Sequence, residues 1–213
     1  GSCRIPAAMC GIVGFKPTAR RVPMSGTFPL SPSLDSIGPL ANSVECCAIV
    51  DAVLAGEPIE PLAAVPLHGL RFAVPQTLVL DDVEDYVANV FARALSRLAA
   101  QGAEIVETPL ELLGELPEIN RKGGLAPPEA YATHREWIAQ HADAYDPRVL
   151  ARIVRGKEQD AADYILLQRA RASFIERVSA ALMSFDAVLM PTVPIVAPPM
   201  DSLADDASYA RTN

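Results

Sequence analysis

The chain has 213 residues, of which half are hydrophobic and 21% are charged, and its formal net charge is -8. This length is enough for one domain with a sizeable core. The acidic balance, with scattered Lys and Arg, excludes a nucleic-acid groove of the usual basic kind, and no apolar run approaches the ~18 residues of a membrane span.

The first forty residues are rich in Gly, Pro and Ser and have no long helical period. This composition predicts buried strands and ordered loops rather than helices. Residues 12–15 form a short apolar strand candidate, which Lys16 and Pro17 end. Residues 31–39 are interpreted as a tight loop.

A helix is predicted next, and it is followed by a Pro-rich linker over residues 57–68. Asn42 or Ser43 can cap the N-terminus of this helix, and Gly56 can end it. The residues that we expect on its apolar face are Val44, Cys47, Ala48 and Leu54.

Residues 70–106 read as a strand, a helix and a second strand. The strands are predicted at 70–74 and 103–106. Asp81 and Asp82 favour a helix N-terminus, and apolar residues follow at helical spacing up to Gly102. Such a unit predicts a right-handed crossover between parallel strands.

The remainder of the chain is predicted to be mainly helical. Residues 109–158 suggest shorter helices, one at about 128–140 and another that starts at Asp146 and Pro147. The strongest helical pattern spans roughly 159–184. It leads into residues 185–192, which we interpret as a buried strand ending in a Pro-rich loop, and residues 201–213 are polar without a clear period.

Three short motifs follow one another near the start of the chain. Residues 1–7 read Gly-Ser-x-Arg-x-Pro-Ala, residues 11–18 read Gly-x-Val-Gly-x-Lys-Pro-Thr, and residues 33–39 read Ser-Leu-Asp-x-x-Gly-Pro. In this order they resemble the amidase signature family of hydrolases. The strand-helix-strand unit and the Phe-Asp-Ala-Val-Leu-Met-Pro-Thr segment at 185–192 also fit that family, so the likeness extends over most of the chain.

The resemblance implies an α/β fold with a mixed, largely parallel sheet flanked by helices. It also implies that residues 1–213 form a single partial amidase domain, truncated at both ends. In the family, a catalytic lysine and a serine with a cis peptide bond lie upstream of the nucleophile, and further strands close the domain downstream. We therefore expect the isolated chain to be inactive.

The resemblance assigns the nucleophile to Ser2. A free serine hydroxyl is a poor nucleophile and needs a base to take its proton, which the upstream serine and lysine provide in the family. The backbone N–H groups of Gly1 and Ser2 would be the remaining end of the oxyanion hole, which stabilises the tetrahedral intermediate. Lys16 is interpreted as a strand-end lysine and not as a substitute base.

Two further residues are expected to support the site. In the family, the arginine at the position of Arg4 ties down the active-site loop through an upstream acidic residue, since a guanidinium pairs well with a carboxylate. Asp35 is suited to holding a turn through the backbone, and we interpret it as architecture and not as a catalytic acid.

The sequence contains no persuasive cofactor or metal motif. His134 and His141 are seven residues apart, but two histidines without a third ligand are weak evidence for a metal. The four cysteines, at positions 3, 10, 46 and 47, include no Cys-x-x-Cys pair and are too few for a disulfide framework. Gly123 and Gly124 lack the ending of a phosphate loop. We expect no cofactor and a reducing cytoplasmic location.

The function implied is hydrolysis of a small-molecule amide through an acyl-enzyme, without direct contact with nucleic acid or membrane. Two alternatives remain open: the glutaminase subunit of a tRNA-dependent amidotransferase, and a non-catalytic paralogue. Residues 126–170 resemble general amidases more than the glutaminase of the amidotransferase. Because a truncated sheet exposes its edges, the chain alone is expected to pair with itself or to be poorly soluble.

Overall fold

The computed structural model describes residues 2–203; Gly1 and residues 204–213 lie outside the described part. The helices are α1 (Arg4–Met9), α2 (Val44–Ala55), α3 (Asp85–Ala100), α4 (Leu116–Ile119), α5 (Ala126–His141), α6 (Pro147–Val154) and α7 (Ala161–Leu182). The strands are β1 (Val13–Gly14), β2 (Leu40–Ala41), β3 (Arg71–Pro75), β4 (Glu104–Thr108) and β5 (Ala187–Val188). Short 3-10 helices cover Glu111–Glu115, Ala142–Ala144, Arg155–Glu158 and Met200–Leu203.

The predicted strand-helix-strand unit is confirmed as β3, α3 and β4. The two strands are parallel, and Phe72 lies opposite Ile105 in their register. Helix α3 begins at Asp85, later than the two aspartates suggested, because the chain is still turning at Asp82, whose φ is 54°. The fold is α/β, with a parallel three-stranded sheet in the order β4-β3-β5.

The prediction of a buried strand within residues 185–192 is only partly right. Strand β5 is short and pairs in parallel with β3, opposite Phe72 and Ala73. It lies at the sheet edge, however, and Ala187 is exposed. The central strand β3 is the buried one, with Ala73 0% and Val74 2% exposed, because it alone has a neighbour on each side.

The expectation of strands and loops alone over residues 1–40 is wrong for one segment. Residues Arg4–Met9 form helix α1, in which Pro6 is tolerated because a first-turn N–H has no intrahelical acceptor. Six residues are too few to show a helical period. Strand β1 lies within the predicted 12–15 segment and pairs antiparallel with β2.

Helix α2 has the predicted caps but a different buried face. The Ser43 side chain accepts a hydrogen bond from the Cys46 N–H, and Gly56 ends the helix with a φ of 71°. Its buried residues are Cys47, Asp51 and Ala52, whereas Val44 and Leu54, which we expected on the apolar face, are exposed.

The buried face of α2 carries a carboxylate, that of Asp51, in place of the expected Val44 and Leu54. Arg21 donates to Asp51 at 2.8 Å and to Glu57 through two hydrogen bonds of 2.7 Å. These bonds attach the loop between β1 and β2 to α2 and to the residue after its C-cap. These charge-assisted hydrogen bonds hold the pKa of Arg21 above its ordinary value.

The predicted helices of the second half are confirmed within a few residues. The Asp146 side chain caps α6, and Asp160 and Asp163 form a capping box at the start of α7. None of the residues in α7 is fully buried, so the apolar face expected there is only partly covered. Within residues 2–203, no helix combines the length and apolar character that crossing a membrane requires.

Candidate active site

Ser2 lies in a turn immediately before α1, and its side chain is exposed. Cys3 is the N-cap residue of the helix, so the Ser2 backbone is held at the end of α1 rather than within it. Within residues 2–203, no hydrogen-bond partner is present for the Ser2 hydroxyl. Gly1, which the family resemblance assigns to the oxyanion hole, lies outside the described residues.

The first two sequence motifs pack directly against each other. A Cβ atom added at Gly14 of β1 would lie 2.5 Å from the Cys3 carbonyl oxygen and 2.6 Å from the Ala7 Cβ, so only glycine fits there. Ala7 is 1% exposed, and its carbonyl accepts a hydrogen bond of 3.0 Å from the Ile12 N–H. Strand β1 therefore forms the support on which the Ser2 segment and α1 lie.

The third motif joins this unit through Gly38. The Cys3 Sγ–H donates to the Gly38 carbonyl oxygen at 3.3 Å, and the Phe15 N–H donates to the Pro39 carbonyl oxygen at 3.0 Å. A side chain at Gly38 would collide with the Phe15 carbonyl oxygen. Segments that are 35 residues apart in sequence thus meet at the residue next to Ser2.

Asp35 holds the turn that leads to Gly38. Its Oδ2 accepts hydrogen bonds from the Leu30 N–H at 2.9 Å and the Ser31 N–H at 3.0 Å. This is the backbone-holding geometry expected of an aspartate in a turn. The carboxylate is half-buried and engaged with its own loop.

Glu129 of α5 binds the same turn from a different part of the fold. The sequence analysis did not identify this residue as part of the site. Its Oε2 accepts from the Ser31 hydroxyl at 2.7 Å and the Ser33 N–H at 3.0 Å, while its Oε1 accepts from the Tyr164 hydroxyl at 2.8 Å. Burial by itself raises the pKa of Glu129, but the hydrogen bonds from Ser33, Ser31 and Tyr164 outweigh burial and hold the pKa below its ordinary value. The only available sequence signal was an acidic residue inside an otherwise apolar helix start.

Arg4 and Lys16 do not form ion pairs in the described part of the chain. Arg4 is exposed, and none of the carboxylates within residues 2–203 lies within ion-pairing distance of it. The Lys16 Nζ donates to the carbonyl oxygen of Pro17 at 2.7 Å, next to the end of β1. This local contact agrees with its interpretation as a strand-end lysine.

Two cavities lie between α1 on one side and α3, β5 and the segment after β5 on the other. One, of about 540 Å³, is lined by Arg4 and Ile5 on one side and by Phe91 of α3 and residues 188–192 on the other. The second, of about 460 Å³, lies beside Ala8 and Met9 of the same helix. Ser2 lines neither cavity, although Arg4, two residues later, lines the first. Both cavities are lined mainly by apolar side chains.

His134 and Trp137 of α5 form a separate aromatic cluster with Phe28 and Tyr145. His134 is buried, and its Nδ1 lies 2.7 Å from the Tyr145 hydroxyl. Phe28 stacks on Trp137 with their ring centroids 5.4 Å apart, which attaches the loop before the turn to α5. His141 is exposed at the helix end. The described residues include no group of three His, Cys, Asp or Glu side chains that could hold a metal ion.

Comparison with known proteins identifies the family. The sequence profile of the family described as Amidase matches residues 1–213, and the chain therefore belongs to the amidase family. A crystal structure of an amidase superposes with a TM-score of 0.83 at 35% sequence identity, over 94% of this chain and 45% of that chain.

Two curated relatives carry more specific names. A 2-amino-5-chloromuconic acid deaminase of Comamonas testosteroni is 34% identical over 100% of this chain and 46% of its own length. A glutamyl-tRNA(Gln) amidotransferase subunit of Roseiflexus sp. (strain RS-1) is 31% identical over 97% of this chain and 49% of its own length. The chain thus spans about half the length of the relatives it matches.

Proposed function

We propose that this chain carries the nucleophile-bearing part of a serine amidase that hydrolyses the carbon–nitrogen bond of a small linear amide. The observation that carries the proposal is the joint packing of the three motifs around Cys3, since Gly14 and Gly38 both approach the residue that follows Ser2. Membership of the amidase family supports the reaction type.

The proposed reaction begins with attack of the Ser2 Oγ on the amide carbonyl carbon. The serine proton passes to a base, which we assign to a cis-serine and lysine outside the described residues. The N–H groups of Ser2 and Gly1 would stabilise the oxyanion as it develops. The carbon–nitrogen bond then breaks and the protonated amine or ammonia leaves, after which water hydrolyses the acyl-serine to a carboxylic acid.

Arg4 and Asp35 are proposed to support this site without touching the reacting atoms. Asp35 shapes the turn that ends beside Cys3. Arg4 lines the 540 Å³ cavity, and an upstream carboxylate would hold its guanidinium. The apolar wall of Ile5 and Phe91 suits an apolar acyl group on the substrate.

A glutaminase subunit of a tRNA-dependent amidotransferase is the second candidate, because a relative at 31% identity is named as a component of such an enzyme. The same serine chemistry would then release ammonia from glutamine for a partner enzyme. Release of ammonia from simple amides without any partner favours the first candidate, and activity restricted to glutamine favours the second. In either case we propose a cytoplasmic protein that needs no cofactor and makes no direct contact with nucleic acid.

Trapping of the nucleophile tests the proposal. In the full-length gene product, a serine-directed fluorophosphonate should label the protein, and Ser2→Ala should lose both the label and at least about a thousandfold in amide hydrolysis. Ser25→Ala, at an exposed serine of the loop between β1 and β2, is the matched control and should label normally. Equal labelling of the wild type and Ser2→Ala, measured by intact-protein mass spectrometry, would remove Ser2 from the mechanism.

A further inference from the structure

We propose that Glu129 is a positioning residue for the Ser2 segment: it fixes the turn at residues 30–35, and this turn fixes the backbone against which Cys3 lies. The proposal rests on the proposed function of Ser2 insofar as it concerns catalysis. Glu129 would not touch substrate, and it would act through Ser31 and Ser33.

The first argument is the chemistry of the contacts. Glu129 is 9% exposed, and its partner Ser31 is 2% exposed and 98 residues away in sequence. The Ser33 N–H can only donate, and the Glu129 Oε2 accepts its hydrogen bond at 3.0 Å. Hydrogen bonds to an ionised carboxylate are stronger than neutral ones, so these two contacts attach the turn strongly to α5.

The second argument is that the carboxylate is itself held in place. The Tyr164 hydroxyl of α7 donates to the Oε1 at 2.8 Å, so the two oxygens are bound from different elements and the carboxylate cannot rotate freely. Both bonds to the turn come from the Oε2, so Glu129 links the turn to α5, whereas the Tyr164 bond to the Oε1 restrains the carboxylate without touching the turn.

The third argument is the continuity from the turn to Ser2. Ser31 binds Glu129 through its hydroxyl and Asp35 through its N–H, so one residue joins the two carboxylates. Three residues after Asp35, Gly38 packs so closely on Phe15, the residue after β1, that no side chain fits, and the Gly38 carbonyl oxygen accepts a hydrogen bond from the Cys3 Sγ–H. Such tight packing leaves little slack to absorb a shift, so a displaced turn would move the residue adjoining Ser2.

A matched pair of variants separates positioning from general stability. Ser31→Ala and Tyr164→Phe each remove one hydroxyl donor to Glu129, but only Ser31 belongs to the segment that leads to Cys3. In the full-length protein we expect Ser31→Ala and Glu129→Gln to slow fluorophosphonate labelling of Ser2 about tenfold, and Tyr164→Phe to slow it less than about twofold. Glu136→Gln, at an exposed site on the same helix, should label like the wild type.

A second measurement does not depend on catalysis. By hydrogen exchange on this chain, Glu129→Gln should raise exchange in residues 29–39 and also in residues 2–9. The positioning role would be overturned if exchange rose only in residues 29–39. It would also be overturned if Ser31→Ala and Tyr164→Phe lost labelling equally and in proportion to their loss of unfolding free energy. If the wild-type protein resists labelling, the proposed function fails, and the exchange experiment still decides whether Glu129 holds the Ser2 segment.

Discussion

The Glu129 side chain shows how burial and hydrogen bonding compete at one carboxylate. Burial disfavours its charge, yet donors from Ser31, Ser33 and Tyr164 surround it and keep the charged form favoured. The sequence predicts that this glutamate lies at the start of a helix, but it does not predict the contact with Ser31, because nothing local indicates a partner 98 residues away. Ser2 is the opposite case: its motif is local and recognisable, whereas its surroundings here are exposed.

The lowered pKa of Glu129 predicts a pH-dependent contribution to stability. Its pKa in the fold lies below the ordinary value of 4.5 for an unperturbed glutamate, so the fold favours the ionised form. The contribution is therefore fully present above the unfolded pKa and is lost as pH falls through the folded pKa. Urea unfolding of the wild type and Glu129→Gln should show the largest difference in unfolding free energy near pH 7, shrinking towards about pH 3.

The difference between the two proteins isolates this one group. Asp163 and Glu115 also have lowered pKa values, because Lys122 and Arg177 respectively donate to them, but both are present in each protein. Their contributions to the pH dependence cancel in the comparison. A difference in unfolding free energy that stays constant over this pH range would contradict the assignment of the shift to Glu129.

Helix α1 and strands β1 and β2 form one packed unit, although each is very short. The two-residue strands and the six-residue helix are stabilised by their contacts with one another, since isolated elements of this length do not persist in water. This is why the sequence predicted the β1 segment from its apolar residues but missed α1, which has too few residues to show a period. Glycine at position 14 allows α1 to approach β1, and glycine at position 38 allows the chain before β2 to approach Phe15.

Substitution of Gly14 tests this packing. Because an added Cβ would meet the Cys3 carbonyl and Ala7, Gly14→Ala should lower the unfolding free energy by about 1–3 kcal/mol. At Gly114 an added Cβ would have only the Thr77 methyl nearby, at 4.0 Å, so Gly114→Ala should change stability by less than about 0.5 kcal/mol. Urea midpoints of the two variants give the comparison, and equal midpoints would mean that α1 can move away from β1 without cost.

Residues 2–203 form a thin core and leave both edges of the three-stranded sheet unpaired. Strands β4 and β5 are the two edges of the three-stranded sheet, and no residue of α3 is fully buried even though one side of it is apolar. The expectation of self-association, made from the sequence, has a structural basis in these edges, because unpaired strand edges template pairing with another chain.

We predict that sedimentation velocity will show concentration-dependent association of this chain. A lysine at the β5 edge, Ala187→Lys, should weaken that association, because charged side chains on edge strands oppose pairing. Ala180→Lys adds the same charge at an exposed position of α7 and serves as the control. Equal association of the two variants would place the contact away from this edge, and a monomer at all concentrations would refute the prediction.

The amino-acid sequence was sufficient for features that depend on neighbouring residues. Local spacing and residue types suited to turns and helix ends predict the caps of α2 and α6 and the parallel β3-α3-β4 unit. The three motifs can likewise be recognised from the sequence alone. Contacts between distant segments required the fold. Three features depend on which surfaces meet: the burial of Asp51 in place of Val44, the edge position of β5, and the attachment of Glu129 to the turn beside the Ser2 segment. Local periodicity does not encode them because they result from packing between distant segments.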